Sequence, residues 1–318
     1  MNRRDFIKVA ASVGLASTIL PGCFSKSSSP VLPDQSQKSN SQGSPRSTVP
    51  SQTQSRLVIA EGMDPDTLIE KGFEAMGGIG QFVKSGNIVT IKPNFSSARG
   101  LDAGVTTNPI LVGALVRRCI QAGAKEVRVI DHTFTSGEAC LEESGIRAAV
   151  SGAGGRAYTI NSHTGQFYSA VNVNGEILKQ ADYSRDVLEA DVFINIPILK
   201  QSDPTGISAG LKNLMGVVWD RGIFHQTDLH QTIAELAAFK KPTLTILDAI
   251  KGITANGPSG PGPIKEWKQV VFGTDMLAVD AYGASLLGLK LADVKHVAIA
   301  AKLGVGNPDW QSLEVVRV

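Results

Sequence analysis

The sequence predicts an α/β domain of three layers: a mostly parallel central sheet, helices on both faces, and one small hairpin insertion. Three observations carry that reading. The strand segments, such as Ile88-Val89-Thr90-Ile91 and Val192-Phe193-Ile194, are almost continuously apolar rather than alternating, as strands covered on both faces are. They are separated by segments with helical periodicity, which places successive strands side by side in one direction. Helix starts are marked by Asp or Asn followed by Pro or an apolar run, at Asp64-Pro65 and Asn108-Pro109.

Leu57 to Ala60 reads as a short strand, and Asp64 to Met76 as a helix capped by Asp64. A strand follows from Asn87 to Lys92, then a helix from Pro109 to Gln121 closed by Gly123. Val127 to Asp131 is a strand, 138–150 a helix, and Arg156 to Ile160 a strand. Residues 166–178 form the hairpin, with Asn174-Gly175 supplying the turn. A short helix at 184–190 feeds the strand Val192 to Ile196. Helices are expected at 207–218 and 227–239, and a strand from Leu244 to Asp248. A Gly/Pro-rich loop runs to Pro263. The strand Gln269 to Phe272, helices at 275–287 and 293–303, and a last strand from Leu313 complete the domain, which spans residues 56–318.

In open α/β sheets, ligands bind beyond the carboxyl ends of the strands. Four strands here finish on polar residues: Lys92-Pro93-Asn94, Asp131-His132, Asn195-Ile196-Pro197 and Asp248, with Lys200 following the third. One cleft edge is therefore expected to carry Lys92, Asp131, Lys200 and Asp248 as catalytic candidates. Asn94, Asn195, Lys212, Asn213 and Gly257 are the ligand-binding candidates, and the loop 256–260 is expected to close over them. The alternative for each position is a cap or turn, which Asp and Asn also serve well. Several lysines at one edge favour a small anionic ligand, held through ammonium point charges.

Other motifs carry less. Gly77-Gly78-Ile79-Gly80 and Gly152-Ala153-Gly154-Gly155 do not sit between a strand and a following helix, as a dinucleotide loop must, and read as turns. His225 and His230 lack the i, i+4 spacing of a helical metal pair. Asp131 and His132 are adjacent and would face opposite sides of a strand. Trp219-Asp220-Arg221 reads as a helix end. No metal site is expected.

The same strand-end residues resemble a known family. Ile91-Lys92-Pro93-Asn94-Phe95, Thr106-Thr107-Asn108-Pro109, Ala122-Gly123-Ala124 and the strand ending in Asp131 are similar to the uncharacterised family called domain of unknown function 362. The resemblance continues through Asn195-Ile196-Pro197-Ile198-Leu199-Lys200, residues 210–216, Asp248, Asn256-Gly257-Pro258 and residues 275–280. It implies no settled activity. Some relatives carry ferredoxin-like cysteine segments, whereas here only Cys119 and Cys140 lie in the domain, so no four-cysteine iron-sulfur cluster can be built within it. Relatives often place a glutamate just before the Asn-Gly-Pro turn; here that stretch reads Thr254-Ala255.

The first residues address the chain elsewhere. Arg3-Arg4-Asp5-Phe6-Ile7-Lys8, the apolar run from Val9 to Leu20, and Leu20-Pro21-Gly22-Cys23 resemble a twin-arginine export signal ending in a lipoprotein cleavage box. The apolar run is too short to span a hydrocarbon core, which needs about 20 residues. Residues 1–22 are read as the signal, with Arg3 and Arg4 engaging the twin-arginine export machinery. Cys23 is read as the lipidation site that tethers the protein to a membrane on its periplasmic or cell-surface side. Ordinary cleavage beside an incidental cysteine is the alternative, because Pro21 departs from the usual box. Residues 23–55, rich in serine and with Pro30, Pro33, Pro45 and Pro50, form a tether of about 30 Å end to end.

The whole chain holds 31 basic and 29 acidic side chains. Removing Arg3, Arg4, Lys8 and Asp5 with the signal leaves them balanced, which argues against nucleic acid as a partner. The functional expectation is a tethered lipoprotein that binds or transforms a small anion. A non-catalytic binding protein and an accessory to iron-sulfur redox proteins are the alternatives. The residues name neither a cofactor nor a reaction.

Overall fold

The computed structural model describes residues 55–318, so the signal, the tether up to residue 54 and the residues Arg3, Arg4 and Cys23 lie outside the described residues. The strands are β1 (Arg56–Glu61), β2 (Ile88–Pro93), β3 (Glu126–Asp131), β4 (Arg156–Thr159), β5 (Tyr168–Asn172), β6 (Gln180–Ser184), β7 (Val192–Ile196), β8 (Lys200–Ser202), β9 (Gly206–Ser208), β10 (Leu244–Ile253), β11 (Ile264–Gly273) and β12 (Glu314–Arg317). Eight of them form one sheet in the order β12-β1-β11-β10-β7-β2-β3-β4. Every neighbouring pair in it is parallel except the two made by β11. From β2 the chain winds outward through β3 to β4, then returns to lay β7 on the other side of β2. That reversal opens a crevice at the carboxyl ends of β2, β3 and β7.

The sheet is covered on both faces, as its apolar strands predict. All five residues of β7 are buried. In β1, Leu57 and Ile59 feed one core while Val58 and Ala60 feed the other. The helices Pro65–Ala75 and Pro109–Gln121 pack on one face, and Leu229–Phe239, Met276–Leu286 and Lys295–Lys302 on the other. Asp64, Asn108 and Asp275 cap three of them through side-chain oxygens, each accepting a first-turn amide N–H.

The structure departs from the sequence expectation chiefly in four places. The helix expected at 138–150 breaks at Gly145, whose φ of 75° is the left-handed conformation that ends a helix. The hairpin is β5 with β6, so its second strand falls later than expected. Its loop is fastened by the Glu235 carboxylate, which accepts the N–H groups of Glu176, Ile177 and Leu178. The helix expected at 207–218 is instead a small β8–β9 hairpin, the short helix Gly210–Asn213 and a 3-10 turn at Leu214–Val217. The buried Asp280 carboxylate accepts the N–H groups of Gly210 and Leu211 at 2.6 and 2.9 Å, so the helix begins there and not earlier. Finally, the strand expected to end at Asp248 continues to Ile253 and pairs with the antiparallel β11.

Candidate functional site

Lys92 on β2, Asp131 on β3 and Asn195 on β7 reach the same edge of the sheet, as parallel strands require. Asn213, from the short helix over that edge, ties them together. Its Oδ1 accepts from Lys92 Nζ at 3.0 Å and from Asn94 Nδ2 at 3.3 Å. Its Nδ2 donates to the Lys92 carbonyl at 3.1 Å and to Asn195 Oδ1 at 2.8 Å. Asn195 in turn donates to the Gly210 carbonyl. Both amide side chains are thereby consumed in holding the short helix onto the strand ends.

A cavity of about 50 Å³, space for a few water-sized groups, opens above this layer. Lys92, Asn94, Asp131, Lys200, Lys212 and Asn213 line it, as expected from sequence. His132, Arg221 and His225 line it too, and sequence reasoning missed all three. His132 lies just past the end of β3, so the strict alternation that would separate it from Asp131 no longer applies. Its ring stacks at 5.1 Å on Trp219, on which His163 also stacks at 5.0 Å. Arg221 donates to the carbonyls of His132 and Thr133, both at 2.9 Å, which turns its guanidinium back toward the site. What read as a helix end is therefore the third side of the cavity.

The three lysines differ in how far their ammonium groups are satisfied. Lys92 uses all three donors: on Asp131 Oδ1 at 2.8 Å, the Pro93 carbonyl at 2.6 Å and Asn213. Lys200 uses two, on the Val105 carbonyl at 2.6 Å and Asn94 Oδ1 at 3.3 Å. Lys212 has no oxygen partner, and its nearest polar contact is Met215 Sδ at 3.9 Å. The one carboxylate lining the cavity, Asp131, is committed to Lys92 and to the Phe95 N–H at 2.9 Å.

Electrostatics follows from that imbalance. Burial, reinforced by the neighbouring Lys212 charge, pushes the Lys200 ammonium down to about 7. Burial and Arg221 push Lys212 down to about 8. Burial lowers Lys92 despite the opposing pull of Asp131, and it lowers His132 and His225 as well. The cavity is thus a cationic, partly dehydrated pocket whose one counter-charge, Asp131, is already paired with Lys92.

Three expected residues do not line the cavity, the first being Asn195, whose side chain is spent beneath it on Asn213 and the Gly210 carbonyl. Asp248 is buried within β10, where its oxygens accept the N–H groups of Asn108 and Ile250 at 2.8 and 3.1 Å, and it does not line the cavity. Burial raises its carboxyl to about 6 against those two amides. Gly257 does not line the cavity either. Its N–H donates to Gln201 Oε1 at 2.8 Å, and a Cβ there would collide with the Gln201 carbonyl, so glycine permits the loop to close on β8. Pro258 from the same loop does reach the cavity wall. Gly216 is needed for a like reason: a Cβ would lie 2.6 Å from Lys92 Cε.

A larger cavity, of about 550 Å³, opens beside β4. Its charges are already matched: Arg128 with Glu126 and Asp186, Arg156 with Glu126, Arg185 with Glu189. It therefore lacks the unmet charge that distinguishes the strand-end cavity. Among the described residues, no group of three His, Cys, Asp or Glu side chains is placed to hold a metal ion, and Cys119 and Cys140 are buried free thiols.

A family model described as domain of unknown function (DUF362) matches residues 89–285. The chain belongs to the DUF362 family. The matched span contains every residue lining the strand-end cavity. A curated relative in sequence is a thylakoid-associated protein of Synechocystis sp., 27% identical over 243 residues, which covers 74% of this chain and 73% of that protein. Among solved structures, the lactate racemase apoprotein from Thermoanaerobacterium thermosaccharolyticum aligns with a TM-score of 0.50 at 11% identity, over 72% of this chain. This chain spans 56% of that protein's length, and the likeness shows the α/β fold alone. Among the described residues, no helix is long and apolar enough to cross a membrane.

Proposed function

We propose that this DUF362 domain binds a small anion at the strand-end cavity and acts on it there. The observation that carries the reading is the charge count of the cavity wall: Lys92, Lys200, Lys212 and Arg221 against the single carboxylate of Asp131. Unmatched cations in a dehydrated site are costly. A carboxylate or phosphate group entering the cavity would supply the missing charge and accept the free donors of Lys200, Lys212 and Arg221. Titration of the purified domain with a panel of small carboxylates and inorganic phosphate, read by calorimetry, tests this. Lys200→Met is expected to weaken the best binder by about 10- to 100-fold, the worth of one charge-assisted hydrogen bond at about 1.5–3 kcal/mol. If no anion binds and none co-purifies, the reading fails.

We further propose that the domain works outside the cytoplasm on a lipid tether, after folded export. Support comes from the Arg3-Arg4 signal, from the residues around Cys23 and from the thylakoid association in the name of the Synechocystis relative. Changing Arg3 and Arg4 together to lysine should leave the precursor in the cytoplasm. Cys23→Ser should move the processed protein from the membrane fraction to the soluble one, since a lost acyl anchor leaves only a polar tether. Membrane retention of the serine variant would remove the lipid from the account.

A further inference from the structure

The cavity presents three lysine amines in three different states, and only one of them is left idle. Lys92 is saturated by Asp131, Asn213 and the Pro93 carbonyl. Lys200 is held by Val105 and Asn94. Lys212 stands in the cavity wall with no oxygen acceptor, its tip beside the Met215 thioether. An ammonium without oxygen acceptors has no hydrogen bond stabilising its charged form, so it gives up a proton more readily and frees its lone pair. Arg221, which uses two of its five donors on backbone carbonyls, faces the same space together with Lys200 and His225. That combination, a partly buried amine beside other cations, is the setting in which lysine becomes a nucleophile toward carbonyl carbon.

We propose that Lys212 is a carbonyl-trapping amine, forming a covalent imine with a small oxo acid whose carboxylate lies against Lys200 and Arg221. This presupposes the anion site described above and names its substrate class. In the step, the neutral Nζ attacks the carbonyl carbon and the C=O π pair moves to oxygen. Proton transfer within the adduct gives a carbinolamine. Loss of its hydroxyl as water, with one proton taken from a neighbouring ammonium or from solvent, leaves the N=C iminium. No oxidant or reductant is consumed, and hydrolysis returns the free amine. The iminium would withdraw electrons from the adjacent carbon, easing departure of a proton from it, or of carbon dioxide where the ligand is a 3-oxo acid. Burial and Arg221 push the Lys212 ammonium down to about 8, in keeping with the role.

The test is reductive trapping. The purified domain is incubated with pyruvate or glyoxylate and sodium borohydride, and the secondary amine is located by intact-mass and peptide mass spectrometry. A single adduct mapping to Lys212 is expected. Lys212→Arg, which keeps the positive charge but cannot form the imine, should lose the adduct. Trapping spread over exposed lysines, or undiminished in Lys212→Arg, overturns the proposal. So does an oxo acid that binds but is never trapped, an outcome that leaves the anion site standing. Absence of binding by any anion would instead remove the site itself.

Discussion

Lys92→Met is expected to destabilise the domain by about 3–5 kcal/mol, the usual cost of removing one partner from a buried ion pair. For a domain of this size that is a fall in melting temperature of roughly 6–20 °C. Lys92 and Asp131 are both about 1% exposed and meet at 2.8 Å. Removing the ammonium strands the Asp131 carboxylate with the Phe95 N–H alone, and it also frees Asn213 Oδ1 and the Pro93 carbonyl. The companion change Asp131→Leu should be comparably damaging, because it buries an unpaired ammonium. The double variant Lys92→Met/Asp131→Leu should recover a large part of the loss, since an apolar pair of similar volume often replaces a buried ion pair without penalty. Chemical denaturation of the four proteins checks the cycle. Single variants within about 1 kcal/mol of the parent would show that the pair does not hold the strand ends together. Lys92 thus belongs to the scaffold of the cavity, while Lys200 and Lys212 supply its unmet charge.

That division was not legible in the sequence, although the place was. Lys92, Asp131 and Asn195 could be assigned to one edge because each terminates a strongly apolar strand, and parallel strands share their carboxyl ends. The capped helices were legible for the same local reason, with Asp64, Asn108 and Asp275 announcing their starts. Asp248 looked equivalent to Asp131 and is not. Its strand continues through Ala249, the irregularity before Lys251 and on to Ile253, and no periodicity marks a strand that bends past a buried carboxylate. The antiparallel β11 hid behind its polar first half, Lys265 to Lys268. The β8–β9 hairpin carries three residues per strand, too few for a pattern, and the apolar run after it imitates one long helix. Arg221 and His225 were invisible because their position depends on where that run breaks. Nothing within Trp219-Asp220-Arg221 signals it. The saturation of Lys92, against the idleness of Lys212, is a property of partners distant in sequence: Asn213 lies 121 residues from Lys92.

Anion binding should weaken as pH rises from 7 to 9, by about tenfold per pH unit for each lysine that takes up a proton on binding. Without a ligand, Lys200 and Lys212 sit near 7 and 8, each depressed first of all by burial. A bound anion with no carbonyl for Lys212 to attack, such as phosphate, stabilises their charged forms and raises both values, so the complex holds more protons than the free protein across this window. The sign follows from linkage: the state with more protons is favoured by acid. The same depression acts oppositely on the unliganded fold. A lysine lowered from 10.5 contributes stability that is present above 10.5 and lost as pH falls through its folded value, here toward 8 and 7. The melting temperature gained on adding anion should therefore be larger at pH 7 than at pH 9. Taking the difference with and without anion cancels buried groups that the ligand does not touch, such as Asp280, which burial raises to about 7. In Lys212→Met, with one titrating ammonium gone, the slope of log Kd against pH should drop by up to one. An affinity that is flat from pH 7 to 9, or one that tightens as pH rises, would mean that the anion is not held by the two depressed lysines, and the guanidinium of Arg221 would be left as its main anchor.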